Sequence, residues 1–307
     1  MSRNVYITGI SGQIGSHLGR YLRQRGYFVT GADISSPQTD ACDEFHRLDI
    51  VRDENKLAES LGGRDYGSVI HLAAIVAPTD EPAEHIFAVN VLGTYNVMRS
   101  AMAAASPRFI CMSSESVLGF AFSNLQLKPA FVPINEEHAL RAVDPYGLSK
   151  LLAERIAAAY HEVTHAATFS LRPPWVWIPE KYDRYLELVK DPARWAHGLW
   201  AYIVIDDLCS AVERAILCDV GGYHALFLTA DDQGTPRSSH QLLDEYYGFK
   251  GPYEDGFPDE ASVISSKAAK SLLGWKPRWK WRSWLEQLRP KQPQGAAQAT
   301  SFRSTSS

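Results

Sequence analysis

Short apolar, β-branched runs recur along the first two thirds of the chain, separated by stretches whose apolar positions fall three and four apart. Asn4–Thr8, Tyr27–Ala32, Phe45–Leu48, Ser68–Ala73, Arg108–Ser113, Thr168–Arg172 and His224–Thr229 have the character of buried strands. Between them, Ile14–Arg25 sets Ile14, Leu18, Tyr21 and Leu22 along one helical face, and Ala83–Ala104, Pro145–Thr164 and Ile205–Cys218 read as further helices. Strand, helix, strand in repetition predicts right-handed βαβ units, hence an α/β fold with a doubly wound parallel sheet. The regularity fails after Arg172. Residues 173–201 are dense in Pro, Trp, Arg and Tyr and predict irregular structure with short helical pieces. Residues 231–290 predict a small α-rich segment with turns at Gly251-Pro252 and Phe257-Pro258, and residues 291–307, nearly without large apolar side chains, predict a disordered tail.

Composition narrows the function classes. The 307 residues are 45% hydrophobic and 21% charged, with a formal net charge of −4 and no basic block, which argues against a nucleic-acid partner. Cys42, Cys111, Cys209 and Cys218 form no C-x-x-C pair, so neither a metal site nor a disulfide framework is expected. The start of the chain lacks a signal-peptide pattern, and no stretch reaches the roughly 18 apolar residues of a membrane span. The expectation is a soluble, cytoplasmic protein with a small-molecule substrate.

The candidate chemistry begins directly after the first strand. Thr8-Gly9-Ile10-Ser11-Gly12-Gln13-Ile14-Gly15 opens into a helix, and glycines at that spacing allow a tight turn and close approach of a pyrophosphate to the helix N-terminus. This strand–glycine–helix order predicts a Rossmann nucleotide site. Asp33 closes the second strand 18 residues beyond Gly15, where a carboxylate accepts from ribose hydroxyls and repels a 2′-phosphate. Ile34, Ser35 and Ser36 add no cation, so NAD is predicted over NADP; a solvated turn is the other reading of Asp33.

Tyr146-Gly147-Leu148-Ser149-Lys150 sets a phenol and an ammonium on one helical face. Hydride transfer at a carbinol carbon needs a group that moves the hydroxyl proton, and a nearby cation would favour the phenolate. The pair follows what reads as a sixth βα position, about 30 residues after Met112-Ser113-Ser114.

With these residues the chain resembles the extended short-chain dehydrogenases/reductases, the NAD-dependent epimerase/dehydratase family, over about residues 3–285. Gly9, Gly12 and Gly15 match the family's glycine turn. Leu48-Asp49-Ile50 resembles its adenine-contacting pair, His71-Leu72-Ala73-Ala74 its H-x-A-A stretch, and Asn90-Val91-Leu92-Gly93-Thr94 its N-V-x-G-T. Ser113-Ser114-Glu115-Ser116-Val117-Leu118-Gly119 is similar to the catalytic Ser/Thr segment, and Leu272-Leu273-Gly274-Trp275-Lys276-Pro277 to the closing L-G-W-x-P. The resemblance implies Tyr146 as general acid/base, Lys150 lowering its pKa and holding the nicotinamide ribose, Ser114 on the substrate oxygen, and Pro173 against the nicotinamide. It also implies cofactor contacts from Gln13, Ile14, Asp49, Ile50, Leu72, Ala73, Ala74 and Asn90. Alternatives stay open: Ser113 as the functional serine, Asn90 as a packing residue, His71 as a strand residue, Asp49 as a helix cap.

Two departures bear on substrate. Trp175 stands where many nucleotide-sugar epimerases carry an Asn, and the chain reaches Asp206-Asp207 without their longer glycine-rich insertion. Ser114-Glu115-Ser116 also shifts the carboxylate pattern of the 4,6-dehydratases, leaving Glu115 as a substrate contact, an acid, or a solvated or helix-terminus residue. Aromatic and cationic residues fill residues 173–200, among them Trp175, Trp177, Arg184, Arg194, Trp195 and His197. Indole faces pack on sugar C–H faces and Arg forks bind carboxylates, so Trp175 and Arg184 point to a carbohydrate-like or sugar-acid substrate, unless the tryptophans are core. The leading expectation is a dehydrogenase acting on a secondary alcohol or ketone. The alternatives are a nucleotide-sugar epimerase or dehydratase with retained NAD, and a dinucleotide-binding protein without catalysis. Residues 1–172 with 201–230 are expected to form the NAD-binding domain and 173–200 with 231–290 a substrate-binding lobe. A homodimer is expected through the small-residue faces of 83–104 and 145–164.

Overall fold

The computed structural model describes residues 2–289 except 39, 77–79 and 123–125; the predicted tail lies outside the described residues. A parallel sheet runs in the order β3-β2-β1-β4-β5-β6-β9. Its strands are β1 (Asn4–Thr8), β2 (Phe28–Asp33), β3 (Glu44–Arg47), β4 (Ser68–His71), β5 (Arg108–Met112), β6 (Ala167–Arg172) and β9 (Tyr223–Phe227). The chain winds outward from β1 to β3 and returns to place β4 on the other side of β1. That reversal opens a crevice at the carboxyl ends of the strands, the general location of ligands in such sheets.

The strands read as continuous apolar runs because both faces are covered. On one face Val5, Ile7, Leu18, Leu22, Val29 and Val212 pack against α1 (Gln13–Arg23) and α7 (Ile205–Leu217). On the other, Tyr6, Leu57, Val97, Phe109 and Tyr160 pack with α2 (Glu54–Gly62), α4 (Gly93–Ala103) and α5 (Pro145–Thr164).

Helix α5 starts where its sequence directs it to start. The Asp144 carboxylate accepts from the Gly147 N–H at 2.8 Å, and Pro145, which has no N–H to satisfy, holds the first turn. Tyr146 and Lys150 therefore sit in the first two turns, at the carboxyl end of the sheet. This helix lies between β5 and β6 and so follows the fifth strand of the doubly wound sheet, not a sixth βα unit. Residues 83–103 form α3 (Ala83–Phe87), a π turn at Ala88–Leu92, and α4, where a single uninterrupted helix was expected.

Residues 173–201 are more regular than their composition predicts. Strand β7 (Trp175–Trp177) pairs in parallel with β8 (Tyr202–Val204), and α6 (Tyr182–Lys190) lies between them. Helices α8 (Ser239–Tyr247), α9 (Lys267–Leu273) and α10 (Trp281–Leu288) follow. Trp177, Tyr185, Trp195, Trp200, Tyr202 and Trp284 form one aromatic core, in which Trp177 stacks on Tyr185 with centroids 4.6 Å apart. Four of the eight tryptophans are thus packing residues of this lobe, and Trp275 is buried at the edge of the sheet core.

Candidate active site

The glycine turn is held by close backbone packing. Gly9 has φ +74°, and a Cβ there would sit 2.6 Å from the Ala73 nitrogen; a Cβ on Gly15 would sit 2.1 Å from the Gly9 oxygen. Helix α1 begins at Gly12 with no side-chain cap, and Gly12, Gln13, Ile14 and Gly15 line the main cavity, about 590 Å³ in volume. Uncapped N–H groups at the start of a helix, open to a cavity, fit a dinucleotide pyrophosphate.

Asp33 ends β2 with both carboxylate oxygens oriented: the Ser11 N–H donates to Oδ2 at 3.1 Å and the Ser35 N–H to Oδ1 at 3.0 Å. Sequence adjacency hid one neighbour. Arg47 on β3 pairs in register with Asp33 and donates to the Ser36 hydroxyl at 2.6 Å, so a cation does stand beside this strand end. It belongs to the adjacent strand, which is why residues 34–36 gave no sign of it.

The remaining expected cofactor residues divide into two groups. Leu72, Ala74 and Pro173 line the cavity with the glycines, whereas Asp33, Asp49, Ile50, Ala73 and Asn90 lie outside its lining. Ala73 backs the turn through Gly9. Asp49 accepts from the Val51 N–H at 2.8 Å; the N-cap of α2 is Asp53, not Asp49. Ile50 is buried against Gly93, its carbonyl accepting from Asn96. The Asn90 amide is committed to protein: Oδ1 accepts from the Ile75 N–H, and Nδ2 donates to the Ile75 carbonyl and the Ser149 hydroxyl. His71 is a buried strand residue between the Thr8 and Thr94 hydroxyls, and burial lowers it to about 3, which keeps the ring neutral.

At the end of β5 the two serines part. Ser113 donates to Glu154 at 2.6 Å, inside a buried network in which Arg172 also grips Glu154 through two hydrogen bonds. Ser114 faces the cavity and donates to the Ser116 hydroxyl at 2.9 Å, and its hydroxyl eases ionisation of the nearby Tyr146 phenol. The structure brings Ser114, Tyr146 and Lys150 to one wall, beside Pro173.

Burial dominates the electrostatics of the phenol. Burial pushes Tyr146 above its usual value, the charges of Glu115 and Asp144 add to the rise, and the Ser114 hydroxyl opposes it. Lys150 is itself pushed down by burial, and its Nζ donates to the Met112 carbonyl at 2.9 Å. The ammonium thus ties α5 to the end of β5. Glu115 is raised to about 7 by burial, helped by Asp144 and opposed by the Ser116 hydroxyl.

Across the cavity, Trp175 carries the Arg184 guanidinium 4.7 Å over its ring, while Arg194, His197 and Phe122 complete that wall. Lys181 donates to Gln13 at 2.6 Å and Glu180 meets His17 at 3.3 Å, tying this segment to α1. Phe122 stands edge-on to Tyr146 at 6.0 Å. Lys181 and Phe122 carry no motif, and only the folded loops reveal them. Among the described residues no cluster of His, Cys, Asp and Glu suits a metal, and no helix is long and apolar enough to cross a membrane.

Comparison with known proteins agrees with this geometry. The sequence profile of the NAD dependent epimerase/dehydratase family matches residues 5–187. A 3β-hydroxysteroid dehydrogenase/Δ5→4-isomerase of Mycobacterium tuberculosis is 30% identical over 180 residues, 56% of this chain and 47% of that protein; this chain thus matches about half of that relative's length. A UDP-glucose 4-epimerase of Rhizobium meliloti is 24% identical across 92% of this chain and 98% of its own. Among solved structures, a short-chain dehydrogenase/reductase superfamily protein of Agrobacterium tumefaciens with bound NAD superposes with a TM-score of 0.71 at 22% identity, covering 93% and 95% of the two chains. The uronate dehydrogenase of Agrobacterium tumefaciens gives 0.65 at 19%, covering 95% and 91%. The chain belongs to the NAD-dependent epimerase/dehydratase family, and its cofactor is NAD.

Proposed function

We propose that the protein is an NAD-dependent dehydrogenase that oxidises a secondary alcohol of a sugar acid or similar small carbohydrate, or reduces the matching ketone. The observation that carries this reading is the composition of one cavity: the glycine turn and the Ser114–Tyr146–Lys150 wall lie on one side, with Trp175, Arg184 and Arg194 on the other. The indole offers a sugar C–H face, and the guanidinium groups offer forks for a carboxylate. A uronate dehydrogenase among the structural neighbours supports the same class of substrate.

When bound, NAD supplies the hydride acceptor or donor. The chain's own residues do the rest. Gly9, Gly12, Gln13, Ile14 and Gly15 receive the pyrophosphate, Asp33 takes the adenosine ribose, and Asp49 and Ile50 sit toward the adenine. Leu72 and Ala74 shape the wall near the nicotinamide ribose, Ala73 and Asn90 hold the backbone behind it, Lys150 holds that ribose, and Pro173 backs the nicotinamide. Ser114 donates to the substrate oxygen and Tyr146 exchanges the proton, while Glu115, Trp175 and Arg184 contact the substrate. Residues 173–200 with 231–290 act as the substrate lobe on the nucleotide domain. The enzyme works in the cytoplasm as a homodimer through α4 and α5.

The deciding experiment mixes the isolated protein with NAD and D-glucuronate or D-galacturonate and follows nicotinamide reduction. Net NADH formation is expected. Protein that carries stoichiometric NAD as isolated and forms no NADH would favour the epimerase or dehydratase reading.

A further inference from the structure

Two consecutive residues of the segment that leads into α6 reach back to α1. The Lys181 ammonium donates to the Gln13 side-chain oxygen at 2.6 Å, and the Glu180 carboxylate stands 3.3 Å from His17 Nε2. The segment is anchored from below. Ile178 is buried in the sheet core, and its N–H donates to the Tyr185 hydroxyl at 2.9 Å. The short turn Pro179–Lys181 then closes as the Lys181 N–H donates to the Ile178 carbonyl. Core packing therefore decides where Lys181 emerges, and it emerges at the first residue of α1.

That place has no cation of its own. Residues 8–16 contain no Lys or Arg, so the glycine turn by itself offers a dinucleotide only N–H groups and the helix dipole. Of the other cations lining the cavity, Lys150 is held on the Met112 carbonyl, and Arg184 and Arg194 belong to the Trp175 wall. Lys181 holds a neutral amide oxygen and, among the described residues, makes no ion pair. Gln13 and Lys181 line the cavity together with Gly9, Gly12, Ile14 and Gly15.

We propose that Lys181 is a ligand of the cofactor pyrophosphate, delivered to the glycine turn by the segment between β7 and α6. The inference rests on the pyrophosphate lying at that turn and not on the dehydrogenase reaction. A phosphate oxygen at the N-terminus of α1 gives the ammonium a charged acceptor in place of the neutral amide, and a charge-assisted hydrogen bond is roughly twice as strong. The exchange needs only rotation of the flexible lysine stem, because Gln13 is itself the first residue of the helix that receives the phosphate. Lys181 so bound holds the dinucleotide from the side opposite the turn and slows its release.

Calorimetric titration with ADP-ribose, which has the pyrophosphate and no nicotinamide, tests the contact without turnover. Lys181→Met removes the charge and keeps an unbranched side chain. It should raise the Kd about tenfold at low salt, and the gap should narrow as ionic strength rises, because an exposed charge pair is screened. Lys181→Arg should recover most of the affinity. Stopped-flow displacement of NADH should show the loss as faster release. Lys181 is exposed, so both variants should unfold at the wild-type temperature.

Glu180→Gln separates a phosphate ligand from a mechanical tie. It weakens the link to His17 but leaves the ammonium, so ADP-ribose should bind at least as tightly as to the wild type. Equal losses in Glu180→Gln and Lys181→Met would overturn the proposal in favour of a tie alone. So would a Lys181→Met with the wild-type Kd for ADP-ribose at every salt concentration, even if its KM for D-glucuronate rose. Wild-type protein that binds NADH but not ADP-ribose would take the pyrophosphate away from the glycine turn, and the lysine contact with it.

Discussion

The Lys150 ammonium donates to the Met112 carbonyl at 2.9 Å and stands 5.8 Å from the centre of the Tyr146 ring. It thus ties α5 to the end of β5, next to Ser114, while burial is the largest influence on the phenol. Lys150→Met should therefore leave Tyr146 as hard to ionise as before when no cofactor is present. It should weaken NAD binding by about 1.5–3 kcal/mol, the value of a hydrogen bond to a charged group, or roughly 10–100-fold in Kd. Calorimetric titration with NAD checks the second half, and ultraviolet titration of tyrosinate checks the first.

Asp33 and Arg47 predict how cofactor choice can be moved. The wild type should prefer NADH over NADPH, because a 2′-phosphate would meet the Asp33 carboxylate. Asp33→Ala should raise NADPH affinity more than removal of repulsion alone would, since Arg47 is already adjacent to Ser36. Adding Arg47→Ala should cancel that gain. Equal wild-type affinities for the two cofactors would remove Asp33 from its assigned role.

Glu154 sits in a buried ion pair with Arg172 at 2.7 Å and also accepts from Ser113. Both side chains are about 5% exposed, so removing one leaves a buried charge without its partner. Glu154→Ala should cost about 3–5 kcal/mol of stability, and a double replacement of Glu154 and Arg172 by apolar residues should recover much of it. Denaturant unfolding of the three proteins measures this. Additive losses would argue that the pair acts as two separate residues.

Much of the sheet was legible because strands buried on both faces must be apolar throughout, and the glycine turn, Asp33, Ser114, Tyr146 and Lys150 are local motifs. What could not be read depends on contacts between distant segments. Arg47 reaches Ser36 only through strand pairing, and Lys181 reaches Gln13 across 168 residues of chain. Strand β7 is three residues long between prolines, so no alternation could announce it. The tryptophans look alike in sequence; Trp177 and Trp195 are core while Trp175 faces the cavity, a division set by the folding of α6 over the little sheet. The partner of the Lys150 ammonium was hidden for the same reason. Spacing sets Tyr146 and Lys150 on one helical face, but the Met112 carbonyl decides where the ammonium goes.

Helices α4 and α5, with the π turn that leads into α4, leave an apolar surface that predicts assembly. Leu92, Tyr95, Leu152 and Val163 are 46%, 44%, 36% and 65% exposed, and Leu152 and Val163 lie three turns apart on one face of α5. Light scattering should give twice the 34.2 kDa chain mass, and Leu152→Glu combined with Val163→Lys should shift it toward the monomer. A wild type that remains at 34.2 kDa at micromolar concentration would count against the dimer.

The central claim is that Tyr146 moves the proton, and Tyr146→Phe tests it most directly. The substitution removes one hydroxyl and keeps the ring, so fold and NAD affinity should be nearly unchanged. In the wild type the oxidative rate should rise with pH, since the deprotonated phenol is the active form. Burial holds that group above its usual value in the free protein, and the positive charge of the oxidised nicotinamide should bring the limb below about 10 in the complex. The decisive measurement is the pH profile of single-turnover NADH formation with D-glucuronate, wild type against Tyr146→Phe. The account predicts a loss of about 10²–10⁴-fold and disappearance of the rising limb in the variant. Wild-type turnover with the limb intact in a natively folded Tyr146→Phe would contradict it.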